Sequence, residues 1–527
     1  MSKIKSLILG SAAVIAASAG AQAADLPVKA KAVQYVKICS LYGAGFYYIP
    51  GTDTCIKLGG YVQADWNINA GNYNKPSWDE TAGTNGAGVF GTGSRNSDYF
   101  NTRARVQLNI DTRTATEYGV VRTYWSSNFE HSTGFGPSSG NLTMDYGFVQ
   151  FAGFTIGKAA STFQTPWASV GANNNTSFLI GGSDNLTGIN KIAYTWQFGN
   201  GLSAELGIED NKVITRAPVL DAFGAYGATA AAAGAAGLAY LGAGTLPAGL
   251  NGTAGQHSPD FVGNIRLDQA AFTAQLSGAV HNISANYYST GTTAAGLAPA
   301  APLGKIEPNG HPGDAWGWAI AGGLQLKQLP TGPGDKLSLD FTYSDGAPKY
   351  VIGGVTANTF DKFGSTSFAG SYQSFASVNL YDGVYGAAGI EKTKVWGFRG
   401  GYVHNWTPNW ETSVFGSYTR VDYNTNASAL ICAAQATARG AAGAGVANGF
   451  SCNPDFAIYR VGTRTAWTPV QNLTFSGEVM YSFIDQSNTG SITVPTAGLA
   501  NSFKPAGTYD YKDQGIWSGN LRVRRTW

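Results

Sequence analysis

Sixteen stretches of this 527-residue chain alternate apolar and polar residues with the period of a β-strand, and the lengths of their connections alternate too. The stretches are 58–68, 98–112, 118–131, 141–152, 154–160, 189–198, 201–210, 259–268, 271–283, 314–327, 335–344, 392–406, 410–423, 455–467, 472–485 and 511–527. Connections such as Gly199-Asn200-Gly201, Asp268-Gln269, Thr407-Pro408-Asn409 and Thr468-Pro469-Val470-Gln471 are short. Those near 69–97, 132–140, 161–188, 211–258, 284–313, 345–391, 424–454 and 486–510 are long and rich in Gly, Ser, Asn and Ala. An even strand count with loop lengths sorted by parity predicts an all-β, 16-stranded antiparallel transmembrane β-barrel with short periplasmic turns and long extracellular loops. A soluble sandwich has no reason to sort its loops this way. In hydrocarbon a backbone amide has no partner but another amide, so only a closed sheet satisfies every strand.

The faces agree. Ala104, Val106, Leu108 and Ile110 alternate with Arg103, Arg105, Gln107 and Asn109; Leu337, Leu339, Phe341 and Tyr343 alternate with Lys336, Ser338, Asp340 and Ser344. Aromatics recur beside the turns, at Tyr118, Trp196, Phe198, Trp406, Trp410, Trp467 and Trp527, as an interfacial girdle requires. Segments 141–152 and 410–421 are mixed, which predicts a bulge or a shifted register. The last residues, Trp517 to Trp527, alternate to the very end, so the chain closes inside its structure and Trp527 serves as a terminal insertion signal.

Residues 1–23 read as a cleaved signal peptide: Lys3 and Lys5, an apolar run from Leu7 to Ala19, then Ala21-Gln22-Ala23. Losing Lys3 and Lys5 takes the formal net charge of +2 to zero, which argues against nucleic acid as a partner. No apolar run after the signal is long enough for a membrane helix; Ala225 to Leu250 is mostly Ala and Gly and belongs to a long external loop, 211–258. Residues 24–57 form an N-terminal segment before the barrel, 58–527. In an oxidising compartment Cys39 and Cys55, and Cys432 and Cys452, are expected to form two disulfides between sequence neighbours, the economical choice among three connectivities.

Polar faces turned inward make the lumen, and a large barrel selects by the charges of its narrowest ring. Arg103, Arg105, Arg122, Arg399 and Arg460 are the candidate constriction residues, expected near half-height, with Arg464, Arg522 and Arg524 lower. Loop 161–188 is the candidate to fold into the bore, and its single acid, Asp184, would face the basic wall and set a transverse field. Glu205, Glu209, Asp340 and Glu478 are further lumen carboxylates.

The mature start Ala24-Asp-Leu-Pro-Val-Lys-Ala-Lys31, with Val36-Lys-Ile-Cys39 and the run through Cys55 to Gly60-Tyr-Val, resembles the opening of the alphaproteobacterial general porin family. The resemblance implies a sixteen-stranded outer-membrane porin, usually a homotrimer, with a constriction loop after strand five. It implies passive diffusion of small hydrophilic solutes. The long Ala/Gly loop and the low charge of 161–188 depart from the family pattern. A substrate-specific channel for sugars or anions is the alternative, and a barrel enzyme the third. Enzymatic motifs are weak: Gly136-Pro-Ser138-Ser-Gly140 lies between strands, not at a strand-to-helix elbow, and His131, His257, His281, His311 and His404 are scattered without metal spacing. The expectation is a channel without metal or cofactor. Its partners would be outer-membrane lipid, its own copies, and the barrel-assembly machinery through the C-terminal strand.

Overall fold

The computed structural model describes residues 37–69, 99–133, 136–167, 171–173, 179–183, 188–211, 217–222, 252–288, 307, 310–352, 359–364, 373–386, 388–441, 445–494 and 506–527. The signal peptide, Asp184 and most of the Ala/Gly-rich loop lie outside these residues. The chain divides into two compact units, Met1–Lys57 and Leu58–Trp527. In the first, the Cys39–Cys55 disulfide joins a single turn, Ser40–Tyr42, to a short ladder in which Tyr47 and Tyr48 pair with Ile56 and Cys55.

The second unit is built on a closed antiparallel sheet. Its strands are β1 (Thr54–Ile68), β2 (Phe100–Thr116), β3 (Gly119–Ser132), β4 (Asn141–Phe151), β5 (Phe154–Ala159), β6 (Ile189–Gly199), β7 (Leu202–Glu209) and β8 (Asp260–Asp268). They continue with β9 (Phe272–Ile283), β10 (Ala315–Leu326), β11 (Lys336–Asp345), β12 (Lys394–Thr407), β13 (Trp410–Asp422), β14 (Phe456–Val470), β15 (Leu473–Gln486) and β16 (Gln514–Thr526). Each pairs with its sequence neighbours, and β16 returns to β1, from Tyr61 against Thr526 to Ile68 against Gly519. The alternating stretches therefore hold the sixteen strands with ends displaced by only a few residues. No described helix is long and apolar enough to cross a membrane.

Alternation places Val106, Leu206, Ile265, Leu276, Ile320, Phe398, Val461 and Leu521 on the exposed outer face, and the seven turn-side aromatics are exposed as well. The mixed segments have two different causes. Between β3 and β4 the register shifts at Ser126/Ser127, a bulge. Along β13 the register with β14 holds unbroken from Trp410–Trp467 to Val421–Phe456, and the register with β12 shifts only at Asn405/Thr407, opposite Glu411 and Trp410. There the inner face mixes polar Ser413, Ser417 and Thr419 with Phe415, which packs on Leu179 and Met480, and Val421, which joins a cluster of loop residues.

That cluster is a finding the loop composition does not announce. Val395, Val421, Phe456, Ile458, Ile484 and Ile516, at the loop ends of β12–β16, pack against Ile180, Leu220, Val351, Phe360, Tyr381 and Ile431 from the long connections. The connections carry their own sheets. One has five strands, Thr359–Gly364, Ser374–Asn379, Gly507–Tyr511, Thr489–Val494 and Gly445–Ser451; the other joins Val219–Asp221, Gly383–Gly386 and Gly389–Lys392. The last expected stretch, 511–527, thus splits: its start belongs to a loop sheet, and β16 begins after Asp513 accepts the Gln486 N–H. Segment 424–454, read as loop, holds helix α1 (Thr425–Ala441), an Ala-rich run capped by Asn424 Oδ1 on the Ala427 N–H at 2.8 Å. The Cys432–Cys452 disulfide ties α1 to the segment following Gly445–Ser451.

On the short-turn side, Asp335 fixes the turn before β11. Its carboxylate accepts from Asn405 N–H, His404 Nδ1 and Tyr402 Oη, each at 2.8 Å, and from Thr331 Oγ1 at 2.7 Å. Burial pulls its pKa upward, but these donors outweigh it and hold the carboxyl well below the ordinary carboxylate range.

The close approach of β1 to β2 depends on Gly60. Its φ is +153°, and a Cβ there would lie 2.0 Å from the Gln107 carbonyl, whereas one on Gly59 meets nothing nearer than 3.6 Å. Gly60→Ala is expected to cost on the order of 2 kcal/mol by strain and overlap, and Gly59→Ala to have little effect. Electrophoretic heat-modifiability reads this directly, the Gly60 variant losing its compact form at a lower temperature than the Gly59 variant.

Candidate pore constriction

The connection between β5 and β6 lies against the inner wall, held by side chains that alternation turns inward. Glu209 accepts the Thr162 N–H at 2.6 Å and Ser161 Oγ at 2.8 Å, and Glu205 accepts Thr162 Oγ1 at 2.6 Å. Farther round, Asn264 Nδ2 donates to Thr162 O and Gln275 Nε2 to Gln164 O. Asp340 accepts Thr165 Oγ1 at 2.8 Å. Gly171 O takes Arg464 Nη1 and Ser413 Oγ. Asn173 then makes a four-way joint: its N–H meets Glu478 at 2.5 Å, its amide donates to Asn520, its side-chain oxygen accepts Ser476 Oγ, and its carbonyl accepts Arg522.

The loop crosses β7 to β16 on the inside, so every lumen carboxylate read from the sequence is one of its anchors. A charged acceptor on a buried N–H is about twice as strong as a neutral one, and leaving either partner bare is costly. At Gly181, with φ +126°, the backbone comes so close that a Cβ would sit 2.8 Å from Phe398 O, and the Gly181 N–H donates to Val351 O at 2.9 Å. A second connection therefore braces the first, and Tyr350 adds a ring contact on Phe163 with centroids 4.6 Å apart.

The five candidate arginines fall into three settings. Arg399 is buried beneath the loop, with Nε 2.9 Å from both Asp340 oxygens, Nη2 donating to Ser183 O at 2.8 Å and Nη1 to Leu179 O at 3.4 Å. Arg460 is buried at the same level, since Arg399 lies opposite Ser417 and Ser417 opposite Arg460. Arg103 and Arg105 are buried on β2 and paired with acids. Arg103 shares Asp65 with Arg522, both at 2.7 Å, and Arg105 pairs with Glu130 at 2.6 Å.

Arg122 stands apart. It lies opposite Arg113, and the eight residues from Arg105 to Arg113 put it about 27 Å along the strand from the upper pair, near the turn rather than at their height. Arg122 and Arg113 share Asp111 at 3.0 Å each, and both side chains remain 29% exposed, against 1% for Arg399. Counting from strand ends puts all five near half-height; the ladder register sets Arg122 apart. Asp65, the counter-ion of two arginines, was missed, although it alternates with Trp66 and so could have been assigned to the inner face.

The catalytic motifs gain no support from their surroundings. Gly136 to Gly140 form an exposed turn in which Ser139 bonds back to Gly136 O. Among the described residues no three His, Cys, Asp or Glu side chains gather as a metal site requires.

If the carboxylates hold the loop, Glu478→Ala should raise hydrogen exchange of the Asn173 amide about 10- to 100-fold, the cost of a charged acceptor. The Thr162 amide, held by Glu209, should keep its rate. Amide-resolved exchange mass spectrometry in detergent measures both.

A family model described as Porin subfamily matches residues 25–520. Porin Omp2b of Brucella suis is 36% identical over 215 residues, which cover 39% of this chain and 52% of that protein. Porin Omp2b of Brucella abortus (strain 2308) is 36% identical over 216 residues, covering 39% and 54%. The chain thus spans about half the length of these curated relatives. Among solved structures, the outer membrane channel DcaP of Acinetobacter baumannii superposes with a TM-score of 0.56 at 13% identity, over 91% of this chain and 99% of that one. That likeness concerns the fold. The family match over nearly the whole sequence agrees with the resemblance carried by Ala24 to Val62, and the chain belongs to the porin subfamily.

Proposed function

We propose that this chain is an outer-membrane porin, a water-filled channel through which small hydrophilic solutes and ions diffuse passively. The observation that carries the reading is the inward loop. It narrows one side of the bore by lining β7–β16, and its anchors are wall residues that a filled core would not need. Export by the leader 1–23, assembly as a homotrimer, contact with outer-membrane lipid and insertion through the strand ending at Trp527 belong to the same reading.

Within it the site residues take distinct parts. Arg399, Arg460, Arg103 and Arg105 act as positioning residues, neutralised or covered where they stand. Arg122 and Arg113, which share Asp111, keep part of their guanidinium groups exposed, and Asp184, directly after the loop residue Ser183, is kept as the acid of the constriction. Charge that faces water selects ions; charge already paired under the loop contributes rigidity.

Purified protein in planar bilayers should give stepwise conductance, and liposome swelling should slow smoothly as neutral sugars increase in size. Arg122→Gln removes one part-exposed positive charge beside Asp111, so its reversal potential in a salt gradient should move toward cations. Saturable uptake of one sugar, with others excluded at equal size, would favour the substrate-specific channel instead.

A further inference from the structure

Arg266 on β8 is an inner-face cation for which the described wall supplies no counter-ion. It lies opposite Ser203 of β7 and Gln275 of β9. Asn264, two positions earlier, donates to Thr162 O at 2.6 Å, and Gln275 donates to Gln164 O at 3.0 Å. Two strand residues span about 7 Å, so Arg266 stands at the turn-side edge of the β5–β6 connection. There it is half-buried, its side chain turned to the lumen.

Acids lie within electrostatic reach, but each is already engaged. Asp268 accepts Lys327 Nζ and Thr273 Oγ1. Glu205 accepts Lys191 Nζ and Thr162 Oγ1, each at 2.6 Å, and Thr195 Oγ1 at 3.3 Å. Glu209 is buried beneath the Thr162 N–H and Ser161 Oγ. Among the described residues no side chain closes on Arg266, and its Nε is enclosed without an acceptor. Other inner-face arginines are closed: Arg399 by Asp340, Arg464 by Glu411 and Arg522 by Asp65. A guanidinium has five N–H donors and stays charged at any working pH. The acceptors that Arg266 lacks in the wall have to come from the water-filled side.

Resting on the porin reading, we propose that Arg266 is a specificity-determining residue, favouring small inorganic anions over cations as ions pass the turn-side edge of the loop. A unit charge acts within a Debye length, about 8 Å at physiological ionic strength, raising the local concentration of anions and lowering that of cations. Arg399, shut in with Asp340 under the loop, has no such reach into the lumen. Neutral solutes are indifferent to Arg266. No fork-to-fork pairing is involved, so a lysine at this position serves as well as an arginine.

The test is the reversal potential of full-length protein in planar bilayers under a potassium chloride gradient. Arg266→Gln should lower the chloride-to-potassium permeability ratio about twofold in dilute salt, the effect of losing one charge about 8 Å from the passing ion. Near 1 M salt, where the Debye length is about 3 Å, the difference should fade. Arg266→Lys should keep the wild-type ratio, and so should Lys394→Gln, which removes the same charge from the outer face of β12. Liposome swelling in neutral sugars should be the same in all these variants. An unchanged ratio in Arg266→Gln, or an equal loss in Arg266→Lys or Lys394→Gln, overturns the assignment. A sugar rate that changes together with the ratio overturns it too, because Arg266 would then be a support of the loop. A wild type without conductance steps defeats the porin reading and this role with it; steps whose ion preference survives Arg266→Gln defeat this role alone.

Discussion

Eight residue pairs between β1 and β16 decide what this chain can be. A sheet of sixteen strands with its first and last left apart would present two rows of unpaired amides to hydrocarbon, each group costing several kcal/mol. Pairing Tyr61 with Thr526 through Ile68 with Gly519 removes both edges at once. Every other feature follows from that closure: strand tilt and register are fixed, one residue in two must face lipid, and the others must share an interior. Gly60, next to that seam on β1, stands where the Gln107 backbone of β2 leaves no space for a side chain.

The interior is organised by a second constraint, the cost of burying polar groups without partners. The inner wall offers more charge than water can reach, and the β5–β6 connection answers it. Glu205, Glu209, Asp340 and Glu478 accept from loop donors, while Arg399, Arg464 and Arg522 donate to loop carbonyls. Loop and wall thus satisfy each other along β7–β16, while Arg113 and Arg122 on β2 and β3 stay part-exposed. Near the loop ends of β12–β16 the wall instead turns apolar, and the folded external connections cover it with α1 and two small sheets.

Much of this was legible because a barrel strand writes its two solvents into every second residue. Segments as short as 154–160 were placed correctly, and so was the mixed character of 141–152, where a bulge proved to be the cause. What escaped the sequence has a common physical origin in contacts between residues far apart in the chain. The anchoring role of Glu478 needs Asn173, some three hundred positions earlier. The different height of Arg122 needs the ladder register, which counting from strand ends does not supply. α1 escaped because its Ala-rich run gives little contrast between an apolar and a polar face, and its packing partner is another loop.

The account rests on two neighbouring residues of one strand meeting different solvents. Asn109 lies opposite Ser126 on the inner face, and Ile110 lies opposite Trp125 on the outer. With the native cysteines held in disulfides, single cysteines can be placed at each position in reconstituted membranes. Asn109→Cys should react with a charged, water-soluble thiol reagent, and Ile110→Cys should resist it while a fluorophore there is quenched by lipid-borne quenchers. Equal reaction at both positions, or lipid quenching at position 109, would contradict an aqueous passage inside a lipid-facing barrel.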